Sequence, residues 1–184
     1  MTLAWTCAPE KGGTDRLLAR WADRLQVRGL RLAGCVQVNA PPPCDGPCGM
    51  ELRLLPGGEA IRISQDLGPG ATGCRLDTGA LQDAVARVER VAAAGCDLMI
   101  VNKFGRHEET GQGFRDVIAA AVAGGTPVLV GVGSRNAAAF LAFADGLAEQ
   151  VAPDPAALDA WADRTLAPEV RSGDFSCIDG GRLA

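Results

Sequence analysis

Residues 3–14 read LAWTCAPEKGGT: an apolar run from Leu3 to Cys7, a glycine-bearing turn, and Thr14 at the head of the next segment. Five residues, four of them apolar, bounded by a turn are too few for a helix and read as a short buried strand. From Asp15 to Arg28 the apolar positions Leu17, Leu18, Trp21 and Leu25 recur at helical spacing, with Thr14 placed to cap the start and Gly29 to stop the end. The unit is strand, turn, helix.

The same alternation continues outward. Residues 30–38, 97–102 and 127–132 read as strands, and residues 79–94 (capped by Thr78), 113–123, 135–149 and 154–165 as helices. Between them MELRLL and AIRIS alternate on either side of Pro-Gly-Gly-Glu, the pattern of a hairpin. Apolar strands alternating with amphipathic helices predict an α/β fold, a parallel sheet covered on both faces, with the hairpin inserted. Residues 1–167 form one domain in this reading, and 168–184 a weakly ordered tail. Ligands of such sheets sit beyond the carboxyl ends of the strands, so the turn after Cys7 and the loop after Val101 are expected to be neighbours.

Composition narrows the function. The 184 residues carry a net charge of −4, which offers no basic stripe for a nucleic-acid partner. No apolar run approaches the roughly 18 residues a membrane helix needs, and MTLAWTCAPEKGG has no signal-peptide pattern. The expectation is a cytoplasmic protein without membrane or nucleic-acid partners; a homo-oligomer stays open. Seven cysteines without an export signal suggest reduced thiols, with Cys7, Cys35 and Cys96 acting as small hydrophobes. Cys44 and Cys48 share a Pro/Gly-rich loop, but one pair and a distant lone histidine do not make a zinc site, so no metal is expected. Of the 18 basic residues all are arginine except Lys11 and Lys103, and both lysines fall at the predicted ligand edge.

The chemistry is read from two stretches. Phosphate-cradling loops have the form G-x-x-x-x-G-K-[ST]. In that frame Gly12 and Thr14 of CAPEKGGT match, while Cys7 replaces the first glycine and Gly13 the lysine. The alternative is a plain turn with a helix cap. The second stretch, VNKFGRHE followed by GFRDVIAAAVAGGTPVLVGV, starts at the end of the strand 97–102 and runs through the next helix and strand.

Together with GCVQVN and the hairpin, these stretches resemble, in order and spacing, the small P-loop nucleoside-triphosphatases related to the human cancer-related nucleoside triphosphatase, which carry D-E-x-G-K-M-E after the corresponding strand. The resemblance implies a P-loop-NTPase-like parallel sheet. It also implies that Asn102 stands for a magnesium-associated Asp, Lys103 for the catalytic Glu and Gly13 for the phosphate-loop Lys. More closely, SQDLGPGATGCRLD (64–77) and Asn102–Gly105, Glu108, Gly111, Gly113, Phe114 and Arg115 resemble a bacterial family of unknown function whose members are often encoded beside molybdate-transport genes.

These replacements shift the corner by about +3, or about +2 once the lost lysine is counted, by side-chain charge alone. Such a pocket favours an anion over a metal cation, and helix-start N–H groups point the same way. The candidate anion or phosphate site comprises Lys11, Gly12, Gly13, Thr14, Ser64, Gln65, Asp66, Gly70, Asn102, Lys103 and Arg106. No catalytic residue is assigned and no cofactor is expected; the ligand is molybdate, sulfate or phosphate, with a nucleotide as the alternative. Lys103 reads equally as a solvated strand-end lysine, His107 as a surface residue, and Ser64 to Asp66 as a turn. The function expected is a small-oxyanion-binding protein, molybdate favoured, with impaired hydrolysis. The rivals are a divergent nucleoside-triphosphatase using Glu108 or Asp66 as base, and a scaffold presenting the Cys44–Cys48 loop.

Overall fold

Strand β5, Leu98–Phe104, shows how the sequence makes the fold. Its side chains alternate between two clusters: Leu98 and Ile100 pack on one side of the sheet, Met99 and Val101 on the other. A strand covered on both faces has no polar face, which is why it reads as an unbroken apolar run. β6, Val128–Val132, splits likewise, with Leu129 on the first side and Val128, Val130 and Val132 on the second.

The structure, a computed structural model, describes residues 2–40, 49–65 and 76–167. In chain order the elements are β1 (Leu3–Thr6), α1 (Gly13–Val27), β2 (Leu32–Ala40), β3 (Gly49–Leu55), β4 (Ala60–Arg62), α2 (Thr78–Ala93) and β5. They continue with α3 (Arg106–Glu109), α4 (Arg115–Ala123), β6 (Val128–Val132), a 3-10 turn (Ser134–Asn136), α5 (Ala137–Ala144), β7 (Ala148–Gln150) and α6 (Pro155–Leu166). One seven-stranded sheet has the order β4-β3-β2-β5-β6-β1-β7. The pairs β2/β5, β5/β6, β6/β1 and β1/β7 are parallel, and the β3–β4 hairpin joins β2 antiparallel.

Helices α1 and α6 cover one face; α2, α4 and α5 cover the other. Leu18, Trp21 and Leu25 of α1 are buried at helical spacing, and Trp21 packs against Trp161 of α6 with ring centroids 6.4 Å apart. Each such side chain contributes about 1.5–3 kcal/mol on full burial. β2 and β5 approach closely at Gly34, whose φ is +110°; a Cβ there would lie 1.9 Å from the Ile100 carbonyl oxygen. Only glycine closes that seam.

Several elements differ from expectation. The helix expected over 135–149 stops at Ala144, because Asp145 (φ 45°) and Gly146 (φ 77°) turn the chain left-handed and return it as the edge strand β7. Asp77, not Thr78, caps α2, accepting from the Ala80 N–H at 3.0 Å. β5 runs two residues past Asn102, and the short α3 precedes α4. The tail, 168–184, lies outside the described residues. No helix among the described residues is long and apolar enough to cross a membrane.

Candidate functional site

Thr6, Gly131 and Asn102 stand abreast across the carboxyl ends of β1, β6 and β5. Gly131 matters by what it lacks: a Cβ there would lie 2.3 Å from Asn102 Oδ1 and 2.8 Å from Leu18 Cδ1. Through that gap the fully buried Asn102 reaches α1, its Nδ2 donating to Asp15 Oδ1 at 3.0 Å. The next residue, Lys103, places Nζ 3.8 Å from Asp15 Oδ2; its side chain is 42% exposed, that of Asp15 only 8%. The strand-end lysine therefore leans over the first turn of α1. Asn102 Oδ1 and Thr6 Oγ1 are buried without a hydrogen-bond partner among the described residues.

The turn entering α1 is held from within. The Ala8 N–H donates to Thr14 Oγ1 at 2.9 Å, and the Gly13 N–H to the Glu10 carbonyl at 3.0 Å. Thr14 thus braces the turn from inside the helix's first turn, and the cap position expected of it is occupied by Gly12 (φ 72°). The backbone N–H groups of Lys11, Gly12 and Thr14 meet no acceptor among the described residues. Helix starts carry such donors together with a partial positive charge, the combination that binds anions.

The loop after β5 is arranged differently. Glu108, buried, accepts from the Gly105 N–H at 2.8 Å and from the Phe114 N–H at 3.1 Å, one on each carboxylate oxygen. Gly113, with φ +62°, leaves room for it; a Cβ there would sit 2.1 Å from Glu108 Oε1. Phe104 packs edge-on to Phe140 and stacks on Phe143, over which the Arg115 guanidinium also lies at 4.6 Å. The residues of the Asn102–Arg115 motif are thus mostly scaffold, and the scaffold aims Lys103 and Arg106. Both line the mouth of a cavity of about 510 Å³ on the α2 side of the sheet.

Of the candidate residues, Gly12, Gly13 and Thr14 form the start of α1, Lys11 is exposed on the same turn, and Asn102 and Lys103 contact the next residue of that helix, Asp15. Arg106 sits farther along, at the cavity. Ser64 is elsewhere in role: its Oγ accepts from the Met50 N–H at 3.0 Å, and its backbone bridges to Leu76, which ties off the hairpin. Gln65 is exposed, and Asp66 and Gly70, like Cys44 and Cys48, lie outside the described residues. Burial pushes the Cys35 thiol up to about 12, the behaviour of a core residue.

Two residues escaped the sequence reading. Asp15 looked like an ordinary helix-start acid, yet it is the buried hub of the corner and lowers the charge count there by one. Gly131 lay inside an apolar strand and gave only the weak signal of a glycine where a side chain would pack.

This geometry has known counterparts. The solution structure of a human cancer-related nucleoside triphosphatase matches with a TM-score of 0.60 at 17% identity, covering 82% of this chain and 87% of that one. The crystal structure of THEP1 from Aquifex aeolicus matches with a TM-score of 0.59 at 16% identity, covering 89% and 96%. The fold is that of the P-loop nucleoside-triphosphatases. Within it, residues 3–161 match the family model described as Protein of unknown function (DUF2478), and the chain belongs to that family. It is also 37% identical over 147 residues to the Molybdenum import ATP-binding protein ModC 2 of Bradyrhizobium diazoefficiens, an alignment covering 80% of this chain and 16% of the relative's length.

Proposed function

We propose that the chain is a binding module for a small oxyanion or phosphate group, molybdate foremost, on a P-loop fold that no longer carries the hydrolytic groups. The observation that carries this is the turn 11–14, whose Lys11, Gly12 and Thr14 amides have no acceptor among the described residues and adjoin Asp15, the residue that Lys103 approaches. A tetrahedral anion would accept from those amides and draw Lys103 from its 3.8 Å approach to Asp15 into a charge-assisted contact. The likeness to a molybdenum-import ATP-binding protein supports molybdate as the first anion to try.

The side chains suit a magnesium ion poorly. Magnesium takes carboxylate and hydroxyl oxygens in a near-octahedral shell. Here position 102 of β5 holds an amide and the next holds an ammonium; of the nearby carboxylates among the described residues, Asp15 already faces both and Glu10 lies against Gly13. The Thr14 hydroxyl accepts from Ala8. A nucleotide reading keeps support from the fold alone, and it is the competing arm of the test.

Calorimetry with molybdate, sulfate and phosphate in the absence of magnesium, and separately with ATP plus magnesium, decides between them. Metal-free anion binding with no magnesium-dependent turnover is the expected result. Turnover that requires magnesium and is lost in Thr14→Ala would establish the hydrolase instead, and silence in every titration would leave a scaffold.

A further inference from the structure

The cavity beside Lys103 lies on the opposite side of the sheet from the turn 11–14 and touches none of that turn's residues. Its walls are Met50 and Leu52 of β3, Ile63 after β4, Leu76 and Leu81 at the start of α2, and Phe114 before α4, with the buried Gln37 of β2 as a polar group among them. Its volume of about 510 Å³ falls in the range that encloses small organic ligands. Inorganic oxyanions are far too small and too strongly hydrated to fill such a space.

The mouth has a definite charge. Lys103, Arg106 and His107 line it, and Arg106 is exposed with no ion-pair partner among the described residues. The one carboxylate in the lining among the described residues, Glu108, has both oxygens occupied by the Gly105 and Phe114 amides. His107 Nδ1 is held 3.0 Å from Gln112 Oε1, which fixes the ring at the rim. Apolar walls below two cations, at the carboxyl edge of a parallel sheet, are complementary to a molecule with an apolar ring system and an anionic group.

We infer that this cavity is a second ligand site, specific for a small organic anion whose ring body lies against Met50, Leu52, Leu81 and Phe114 and whose acidic group meets Arg106 and Lys103. The site shares Lys103 with the anion site at 11–14 and none of that turn's own residues. Its occupant is distinguished from an inorganic oxyanion by the walls, and from a neutral aromatic by the rim.

Naphthalenesulfonate tests this, with inorganic sulfate and naphthol as its two separated halves. His107 is the chain's single histidine, so its ring proton resonance reports occupancy of the mouth without assignment work. The aromatic sulfonate should shift that resonance saturably and bind roughly tenfold or more tightly than either half, a difference of about 1.4 kcal/mol. Met50→Trp, which fills the cavity, and Arg106→Glu, which reverses its rim, should each weaken binding by a similar factor with the thermal melt retained. Should a variant fail to fold, the wild-type resonance still decides. An unshifted histidine, equal affinity for either half, or binding untouched in both variants would overturn the assignment. Because Lys103 is shared, the two sites are separated by the variants Met50→Trp and Arg106→Glu, which alter only the cavity and should leave phosphate calorimetry at the turn 11–14 unchanged.

Discussion

The loops that leave β1 and β5 solve one problem in opposite ways. Each turns the chain from a buried strand toward a helix, and each must satisfy backbone N–H groups that no regular element pairs. After β5 the protein supplies its own anion: the buried Glu108 carboxylate takes the amides of Gly105 and Phe114. After β1, among the described residues, Thr14 takes the Ala8 amide and the Glu10 carbonyl takes that of Gly13, while the amides of Lys11, Gly12 and Thr14 stay unmatched. A loop that carries its own counter-charge is scaffold. Under the proposed function, the loop that leaves donors unmatched takes its charge from outside.

That contrast can be broken by substitution. Glu108→Ala strands two amides, one of them buried, and should cost roughly 3–5 kcal/mol in urea unfolding, since hydrogen bonds to a charged acceptor are the strong ones. A variant as stable as the parent would mean the second loop is not built on its carboxylate. Gly113→Ala should cost about 2–3 kcal/mol, because the new methyl collides with Glu108 Oε1 in a left-handed backbone. The matching change in the first loop, Gly12→Ala, meets only the flexible end of Arg16 at 3.2 Å and should lose about 1–2 kcal/mol from its positive φ. Its larger effect should fall on anion affinity, measured by calorimetry. If the two glycines exchange these behaviours, the comparison fails.

The carboxylate-on-amide device recurs more weakly at the opposite end of β5. Asp97 accepts from the Arg31 N–H at 2.8 Å and pairs with the Arg31 guanidinium, which holds its carboxyl below the usual range. A lowered carboxylate stabilises the fold above its unfolded value, near 4, and loses that contribution as pH falls through the folded value. Both side chains are substantially exposed, so Asp97→Asn should lower stability by no more than about 1 kcal/mol at pH 7. The gap between variant and parent should close in melts at acid pH. A gap that persists there would show that the charge is irrelevant.

Much of the scaffold was legible because it follows from periodicity. Leu18, Trp21 and Leu25, or Leu81, Val85 and Val88, sit where a helical stripe must be buried, and all of them are. β7 was not legible: Ala148–Gln150 is three residues long with no alternation, and only the left-handed turn at Asp145 and Gly146 separates it from α5. At the site, the order of motifs brought Thr14 and Lys103 into one neighbourhood. It could not show that Asp15 lies between them, because a helix-start acid looks the same whether it faces water or a lysine. Ser64 misled for the same reason, its hydroxyl being used to close the hairpin on Met50.

The central claim rests on Lys103 acting on a bound anion above the turn 11–14, beyond its pairing with Asp15. Calorimetric titration of molybdate or phosphate into the parent and into Lys103→Ala, without magnesium, tests it directly. Loss of roughly 1.5–3 kcal/mol of binding free energy in the variant, the range for a charge-assisted hydrogen bond, is the predicted result. Identical isotherms for the two proteins would contradict it.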